Sequence, residues 1–326
     1  MIISKTPYRL SLFGGGTDYP AWYKNNPSKI VSAAMANYCY VNVKELPPFF
    51  EHTIKATYSK VESVNSVDDL DHPAIRGCLK HLNILNNITI GHDGDLPARS
   101  GIGSSSSFTV GLLHALYTYK NINVSQEQLA REAIYVEQVL LNENVGIQDQ
   151  IMAAHGGIQV IEMHDDWSTK SLSLSNDYLK ELESHILLGF SGISRIAEVQ
   201  AKKKVDNIKA GLNHTHLKNM VILADNAISC LAKEAEISII GKLLDDGWRL
   251  KRQIAEGVTE NWIDAIYNDS INSGSFGGKL MGAGGGGFFM FIVPPEKQKS
   301  FKEKMKSIKV WVPFKFDMQG SQIILK

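Results

Sequence analysis

The segment DLPARSGIGSSSSFTVG, residues Asp95–Gly111, carries the most informative pattern in the chain. Small residues crowd a turn there, and apolar residues then recur every three or four positions, which predicts an amphipathic helix over Ser104–Tyr119. A glycine turn that opens a helix lets several backbone N–H groups converge, and the helix N-terminus adds partial positive charge. The pattern therefore favours a phosphate-binding loop, and a flexible serine-rich loop is the alternative.

A second glycine cluster, GAGGGG at Gly282–Gly287, formally matches the dinucleotide-binding pattern GxGxxG. It leads into the apolar stretch Phe288–Val293, which predicts a strand, whereas a dinucleotide fingerprint follows a strand and opens a helix. So many small residues before a buried strand indicate a backbone that is approached closely. Either a ligand or tight packing of the chain accounts for that approach.

A third cluster, LFGGGTDYP at Leu12–Pro20, follows a predicted strand at Ile2–Leu12. The carboxylate of Asp18 can accept hydrogen bonds from sugar hydroxyls. Taken alone, however, an aspartate beside a glycine turn is more often a turn former than a ligand.

Composition narrows the class of protein. A length of 326 residues favours two domains, and the 44% hydrophobic and 21% charged residues are typical of a globular protein. Lys+Arg and Asp+Glu both number 34, so the chain lacks the positive charge that binds nucleic-acid phosphates. Neither the Walker A pattern nor the HRD and DFG signatures of protein kinases occur.

Membrane, zinc and redox roles are not indicated. The longest apolar run, FFMFIV, is far shorter than the roughly 18 residues of a membrane helix, and MIISKTPYRL at the N-terminus lacks a signal-peptide pattern. The three cysteines form no CxxC pair and are expected to be buried thiols. We expect a cytoplasmic protein that binds small molecules and neither nucleic acid nor membrane, with its oligomeric state left open.

Further periodic stretches predict a mixed fold. Ser125 and Gln128 form a capping box that opens another helix, and the pattern between Ile193 and Glu256 is mainly helical. Additional strands are predicted at Ile30–Leu46, Ile88–Ile90, Gly156–Met163, His185–Phe190, Val310–Phe316 and Ile323–Leu325.

Taken together, TPYRLSLFGGGTDYP, LPARSGIGSSSS and KLMGAGGGGF, in this order, resemble the signature motifs of the galactokinase–homoserine kinase–mevalonate kinase–phosphomevalonate kinase (GHMP) superfamily. The resemblance extends from Thr6 to Phe288. It implies the family's two-domain α+β fold, with a ribosomal protein S5 domain 2-like N-terminal domain and a ferredoxin-like C-terminal domain. We expect these at 1–175, with the phosphate-binding loop, and 176–326, with the glycine-rich motif. ATP and Mg²⁺ are the implied cofactors.

The resemblance also implies catalytic roles. Asp149 matches the aspartate that faces the acceptor hydroxyl, and Arg9 matches the basic residue beside it. Glu137 matches the Mg²⁺ glutamate, with Ser105 as its serine partner and Ser104 as a substitute. Without the resemblance, Asp149 is an ordinary helix-start residue and Arg9 a surface arginine. The implied ATP- and phosphate-binding residues are Arg99, Ser100, Gly101, Ile102, Gly103, Ser104, Ser105 and Ser106.

The opening motif is most similar to that of galactokinases but has Gly15 where their pattern has a sugar-contacting glutamate. Loss of that carboxylate suits a substrate that carries a phosphate. The stretch DGWRLKRQIAEG resembles bacterial D-glycero-D-manno-heptose 7-phosphate kinases, so that sugar phosphate is the expected acceptor; kinases of fucose, galactose or uronic acids and a non-catalytic sugar sensor are the alternatives. Lys251 and Arg252 are candidates for the distal phosphate, unless they form a solvated helix face. The other expected substrate-binding residues are Gly15, Gly16, Thr17, Asp18, Gly282, Gly284, Gly285 and Gly286.

Overall fold

The structure is a computed structural model that describes residues 1–194, 198–254 and 257–326. Its strands are β1 (Ile2–Phe13), β2 (Ser28–Glu45), β3 (Ile54–Thr57), β4 (Val61–Val64), β5 (Ile88–Gly94), β6 (Ile158–His164), β7 (Asp166–Ser171), β8 (Ile186–Phe190), β9 (Gly277–Leu280), β10 (Phe288–Ile292), β11 (Val310–Val312) and β12 (Gln322–Leu325).

Its α-helices are α1 (Pro20–Tyr23), α2 (Pro73–His81), α3 (Ser104–Tyr119), α4 (Gln126–Tyr135), α5 (Gln148–His155), α6 (Asn176–His185), α7 (Glu198–Lys209), α8 (His214–Ala232), α9 (Ile237–Lys251), α10 (Asn261–Asn272) and α11 (Gln298–Lys304). Short 3₁₀-helices lie at Val67–Asp69 and Pro295–Lys297. A π-helical turn at Val136–Leu140 continues α4.

The long strand β2 organises the N-terminal sheet. β1 lies antiparallel to it on one side, while β6 and β5 pair with successive parts of its other side. The sheet has the order β12–β1–β2–β5–β3–β4, and β6 and β7 branch from β2. Helices α3, α5 and α8 pack on β1 and β2, and residues 6–13 of β1 are buried without alternation. This burial places Arg9 inside the protein.

A second, antiparallel sheet forms the C-terminal half, with the order β11–β8–β10–β9. Helices α9 and α10 pack against β9, and Trp248, Phe289 and Phe291 belong to one buried cluster there. The glycine cluster at 282–287 connects β9 to the fully buried β10. Strands β9 and β10 of the second sheet therefore fix both ends of this glycine cluster.

The last strand crosses the predicted division after residue 175. The chain leaves the second sheet after β11 and returns to the first, where β12 pairs antiparallel with β1. Residues 322–325 therefore pack with the N-terminal half, and the boundary itself stays a prediction.

Most predicted elements are present. The helix at Ser104–Tyr119 is confirmed, and the Ser125 side chain accepts a hydrogen bond from the backbone N–H of Gln128 as a capping box requires. The strand predicted at Val310–Phe316 ends at Val312, and β3, β4, β7 and β9 were not predicted. The predicted helical region contains α7, α8 and α9, but its residues 195–197 and 255–256 lie outside the described residues. None of the described helices is long and apolar enough to cross a membrane.

Candidate active site

A buried ion pair joins the start of the chain to α5. The Arg9 Nε and Nη2 atoms donate to the two carboxylate oxygens of Asp149 at 2.6 and 2.9 Å. Arg9 is 7% exposed, and its Nη1 also donates to the Gly101 carbonyl at 2.7 Å. The Asp149 side chain remains 28% exposed. A permanent cation thus holds a partly accessible carboxylate in one orientation.

The loop before α3 presents backbone N–H groups. Gly101 and Gly103 have φ angles of +85° and +75°, and Gly103 precedes the first residue of α3 without a capping side chain. The Ser107 hydroxyl donates to the Pro7 carbonyl at 2.8 Å, which fixes this end of α3 against β1. An uncapped N-terminus of a 16-residue helix suits an anion.

The loop side chains differ in accessibility. Arg99 is exposed with a φ of +59°, Ser105 is exposed, and Ser104 is partly exposed. Ser100 and Ile102 are buried; the Ser100 hydroxyl donates to the Pro97 carbonyl, and the Ile102 carbonyl accepts from the Arg9 backbone N–H. Ser100 and Ile102 therefore stabilise the loop, and their buried side chains do not project from it.

The loop before α3 and the glycine cluster at 282–287 are far apart in sequence but pack directly against each other. A Cβ atom on Gly282 would lie 2.4 Å from the Gly101 Cα, and one on Gly287 would lie 2.3 Å from the Ser100 carbonyl oxygen. The Phe288 backbone N–H donates to that carbonyl at 3.0 Å. Only glycine fits at this contact, which explains both clusters as mutual packing surfaces of the two halves.

Asp18 lies beside this centre. It is 7% exposed, and its carboxylate accepts from the backbone N–H groups of Gly16 and Gln148 at 3.1 and 3.4 Å. The Thr17 hydroxyl donates to the Gly14 carbonyl, so it stabilises the turn. Burial, and then the nearby charge of Asp149, raises the pKa of Asp18. The structure thus brings two carboxylates and Arg9 to one place.

A side chain at Gly15 would collide with the Ser11 hydroxyl. An added Cβ would lie 2.5 Å from the Ser11 hydroxyl oxygen, which donates to the Gln148 side chain at 3.1 Å. A carboxylate at this position would therefore displace a buried hydrogen bond.

Glu137 is buried in the π-helical turn, 1% exposed. Its Oε2 accepts hydrogen bonds from the Ser106 hydroxyl at 2.9 Å and from the Gln150 amide, while its Oε1 has no hydrogen-bond partner among the described residues. Burial raises its pKa to about 7. π-Helical turns inside helices often occur at functional sites.

The residue that contacts Glu137 directly is Ser106, and the metal role predicted for Ser105 stays a prediction. Successive residues of a helix point about 100° apart, so the inward face of α3 presents Ser106 and leaves Ser105 exposed. Thr109, one turn further on that face, also interacts with Glu137.

Lys251 and Arg252 point in different directions. Arg252 pairs with Asp264 at 3.1 Å, so its charge already has a partner, and its role toward the distal phosphate stays a prediction. Lys251 is 6% exposed and donates from Nζ to the Leu280 carbonyl at 2.8 Å. Sequence reasoning missed two further buried lysines, Lys204 and Lys279, although Lys279 lies just before the glycine cluster.

Two separate parts of the chain match known family domains. Residues 72–157 match the GHMP kinases N terminal domain, and residues 228–309 match the GHMP kinases C terminal domain. The chain belongs to the GHMP kinase family, so the predicted two-domain α+β kinase fold is confirmed and ATP is the implied phosphoryl donor.

Individual relatives are similar over nearly their whole length. A D-glycero-alpha-D-manno-heptose 7-phosphate kinase of Campylobacter jejuni is 26% identical over 98% of this chain and 97% of its own. A galactokinase of Pyrococcus furiosus is 25% identical over 92% and 91%. A crystal structure of a D-glycero-D-manno-heptose 1-phosphate kinase from Bacteroides thetaiotaomicron superposes with a TM-score of 0.78, 23% identity and coverage of 100% and 99%.

Proposed function

We propose that this protein is an ATP-dependent carbohydrate kinase that phosphorylates the anomeric C1 hydroxyl of D-glycero-D-manno-heptose 7-phosphate. The product is heptose 1,7-bisphosphate, an intermediate toward nucleotide-activated heptose for surface glycans. The observation that carries the proposal is the Arg9–Asp149 pair at 2.6 Å beside the interlocked glycine loops.

Each step of phosphoryl transfer has a candidate group. Asp149 accepts the proton of the attacking hydroxyl, and Arg9 orients that carboxylate and compensates charge on the transferring group. The α3 N-terminus and the backbone of Gly101–Gly103 bind ATP phosphates. Asp18 and the neighbouring glycine turn orient the sugar.

The residues around Glu137 fit Mg²⁺. The unpartnered Oε1 atom offers an oxygen ligand in a buried place, and Ser106 adds a hydroxyl. No group of three His, Cys, Asp or Glu side chains in the described residues can hold a metal alone. Mg²⁺ typically takes one or two carboxylates together with substrate phosphates and water, which matches this sparse set. Bound there, it would neutralise charge on the phosphates.

Glu137→Gln is expected to raise the Mg²⁺ concentration needed for half-maximal rate roughly tenfold or more, because a neutral amide oxygen is a weaker ligand. A Mg²⁺ titration at saturating ATP measures this, with Glu181→Gln, an exposed glutamate on α6, as the matched control. A titration curve equal to that of the unsubstituted protein would remove Glu137 from the metal site.

A phosphorylated acceptor is supported by the Campylobacter relative and by Gly15. Gly15 carries no carboxylate that would repel a sugar phosphate, and an added Cβ there would displace the Ser11 hydroxyl. The names of the two heptose kinases differ in the position of the substrate phosphate, so both isomers belong in the test. A non-catalytic sugar sensor is disfavoured because Arg9, Glu137 and Asp149 are all present.

The test is ADP release from ATP and Mg²⁺ with D-glycero-D-manno-heptose 7-phosphate, the 1-phosphate isomer, mannose, galactose and fucose. We expect strong turnover with the 7-phosphate alone. Turnover only with an unphosphorylated sugar would keep the kinase and reject the acceptor. The absence of turnover with every acceptor would contradict the proposal and favour a sensor.

A further inference from the structure

Three lysines from the C-terminal half are buried at the boundary between the two halves. Lys204 on α7, Lys251 on α9 and Lys279 on β9 are 4%, 6% and 3% exposed. We call them the lysine cluster. Buried lysines are rare without a compensating partner, because removing an ammonium group from water is costly.

Carbonyl groups beside the glycine clusters hold two of these lysines. Lys279 Nζ donates to the Leu12 carbonyl at 3.0 Å, at the end of β1 and just before the first glycine turn. Lys251 Nζ donates to the Leu280 carbonyl at 2.8 Å, just before the second glycine cluster. The lysine cluster is therefore fixed to the same two loops that frame the candidate active site.

Among the described residues, basic groups outnumber carboxylates around the cluster. Arg9 and the lysine cluster supply four basic groups, and in this part of the chain Asp18 and Asp149 are the carboxylates that interact with them. Burial, followed by the charges of Arg9 and Lys204, lowers the pKa of Lys279 to about 7. Burial also lowers the pKa of Lys204 to about 8, and burial followed by Lys279 lowers that of Lys251 well below its usual value. An anion placed here would therefore favour the charged form of these lysines.

We propose that the lysine cluster is the subsite for the phosphate that the acceptor sugar already carries. A phosphate monoester is close to a dianion at neutral pH and has three acceptor oxygens, so it matches the excess of basic groups and the number of lysines in the cluster. This inference rests on the proposed function, because it requires a phosphorylated acceptor.

Equilibrium binding of two sugars isolates this contact. Affinities for D-glycero-D-manno-heptose 7-phosphate and for the same heptose without phosphate are measured in the presence of Mg²⁺ and a non-hydrolysable ATP analogue. Lys251→Met and Lys279→Met are each expected to weaken binding of the phosphorylated sugar roughly tenfold or more, the scale of one charged hydrogen bond. Binding of the unphosphorylated sugar and of the ATP analogue should change little.

Lys242→Met is the matched control, because Lys242 is exposed on the same helix as Lys251. Thermal unfolding checks that each variant is folded. If the unsubstituted protein shows no preference for the phosphorylated sugar, the proposed acceptor is wrong. If it shows the preference and both variants retain it, the subsite alone is wrong. Weaker binding of the ATP analogue with an unchanged sugar preference would assign the lysines to the nucleotide and overturn the inference.

Proton uptake gives a second test that needs no variant. An incoming dianion raises the pKa of a neighbouring ammonium, so lysines that are partly neutral at pH 8 should gain protons on binding. Among the described residues, the other charged groups that interact with the cluster are Arg9 and Asp18, and Asp149 interacts with Asp18. Calorimetry in two buffers of different ionisation enthalpy should show net uptake with heptose 7-phosphate and none with the unphosphorylated heptose. Equal proton exchange with both sugars would contradict the subsite.

Discussion

Asp149→Asn is expected to lower kcat at least about a hundredfold, the usual scale for a positioned base. The amide cannot accept the proton of the attacking hydroxyl, and it replaces one acceptor of the bidentate Arg9 pair with an NH₂ group that faces the guanidinium. The affinity for ATP should remain largely intact, because the α3 N-terminus and its loop are not altered. Steady-state kinetics and nucleotide binding measure the two effects.

The control for this variant is Asp246→Asn, which changes an exposed aspartate on α9. Its kcat should equal that of the unsubstituted protein. Because Asp149→Asn also leaves Arg9 with a poorer partner, thermal unfolding of both variants separates a loss of fold from a loss of chemistry. Unchanged turnover in a folded Asp149→Asn protein would refute the assignment of the base.

Gly282→Ala is expected to lower kcat/KM by roughly a hundredfold, the scale for a displacement of about 1 Å in a catalytic arrangement. The added methyl group would lie 2.4 Å from the Gly101 Cα, so the loop that binds Arg9 must move. The φ of +69° adds a backbone cost of about 1 kcal/mol for any residue with a Cβ.

Gly211→Ala separates these two effects. Gly211 has a similar φ of +70°, but nothing lies within 4 Å of an added Cβ. This variant therefore has the backbone cost without the collision, and it should lose stability while retaining activity. If the two variants have equal activity, the contact between the glycine clusters does not position the site.

The parts of the fold that depend on local pattern could be predicted from the sequence. The bounds of α3 follow from its apolar spacing, and the 282–287 cluster was correctly separated from a dinucleotide motif because it precedes a strand. The short strands β7 and β9 contain polar or glycine residues without clear alternation, so they depend on pairing partners for their conformation.

The arrangement of the candidate site could be predicted less well, because its residues come together only in the tertiary structure. Arg9 and Asp149 are 140 positions apart, and only the family resemblance paired them. The direct contact of Glu137 with Ser106 depends on the exact rotation of α3 relative to Glu137, which composition does not set. Lys204 and Lys279 have no distinctive local pattern, because their significance arises from burial beside Arg9.

The most direct test of the account is ³¹P NMR of the product formed from ATP, Mg²⁺ and D-glycero-D-manno-heptose 7-phosphate. We predict that a second sugar phosphate signal appears, coupled to the anomeric proton, while the 7-phosphate signal is retained and ADP accumulates in equal amount. A new phosphate on any other hydroxyl, or ADP formation with inorganic phosphate as the only new signal, would contradict the proposed anomeric kinase.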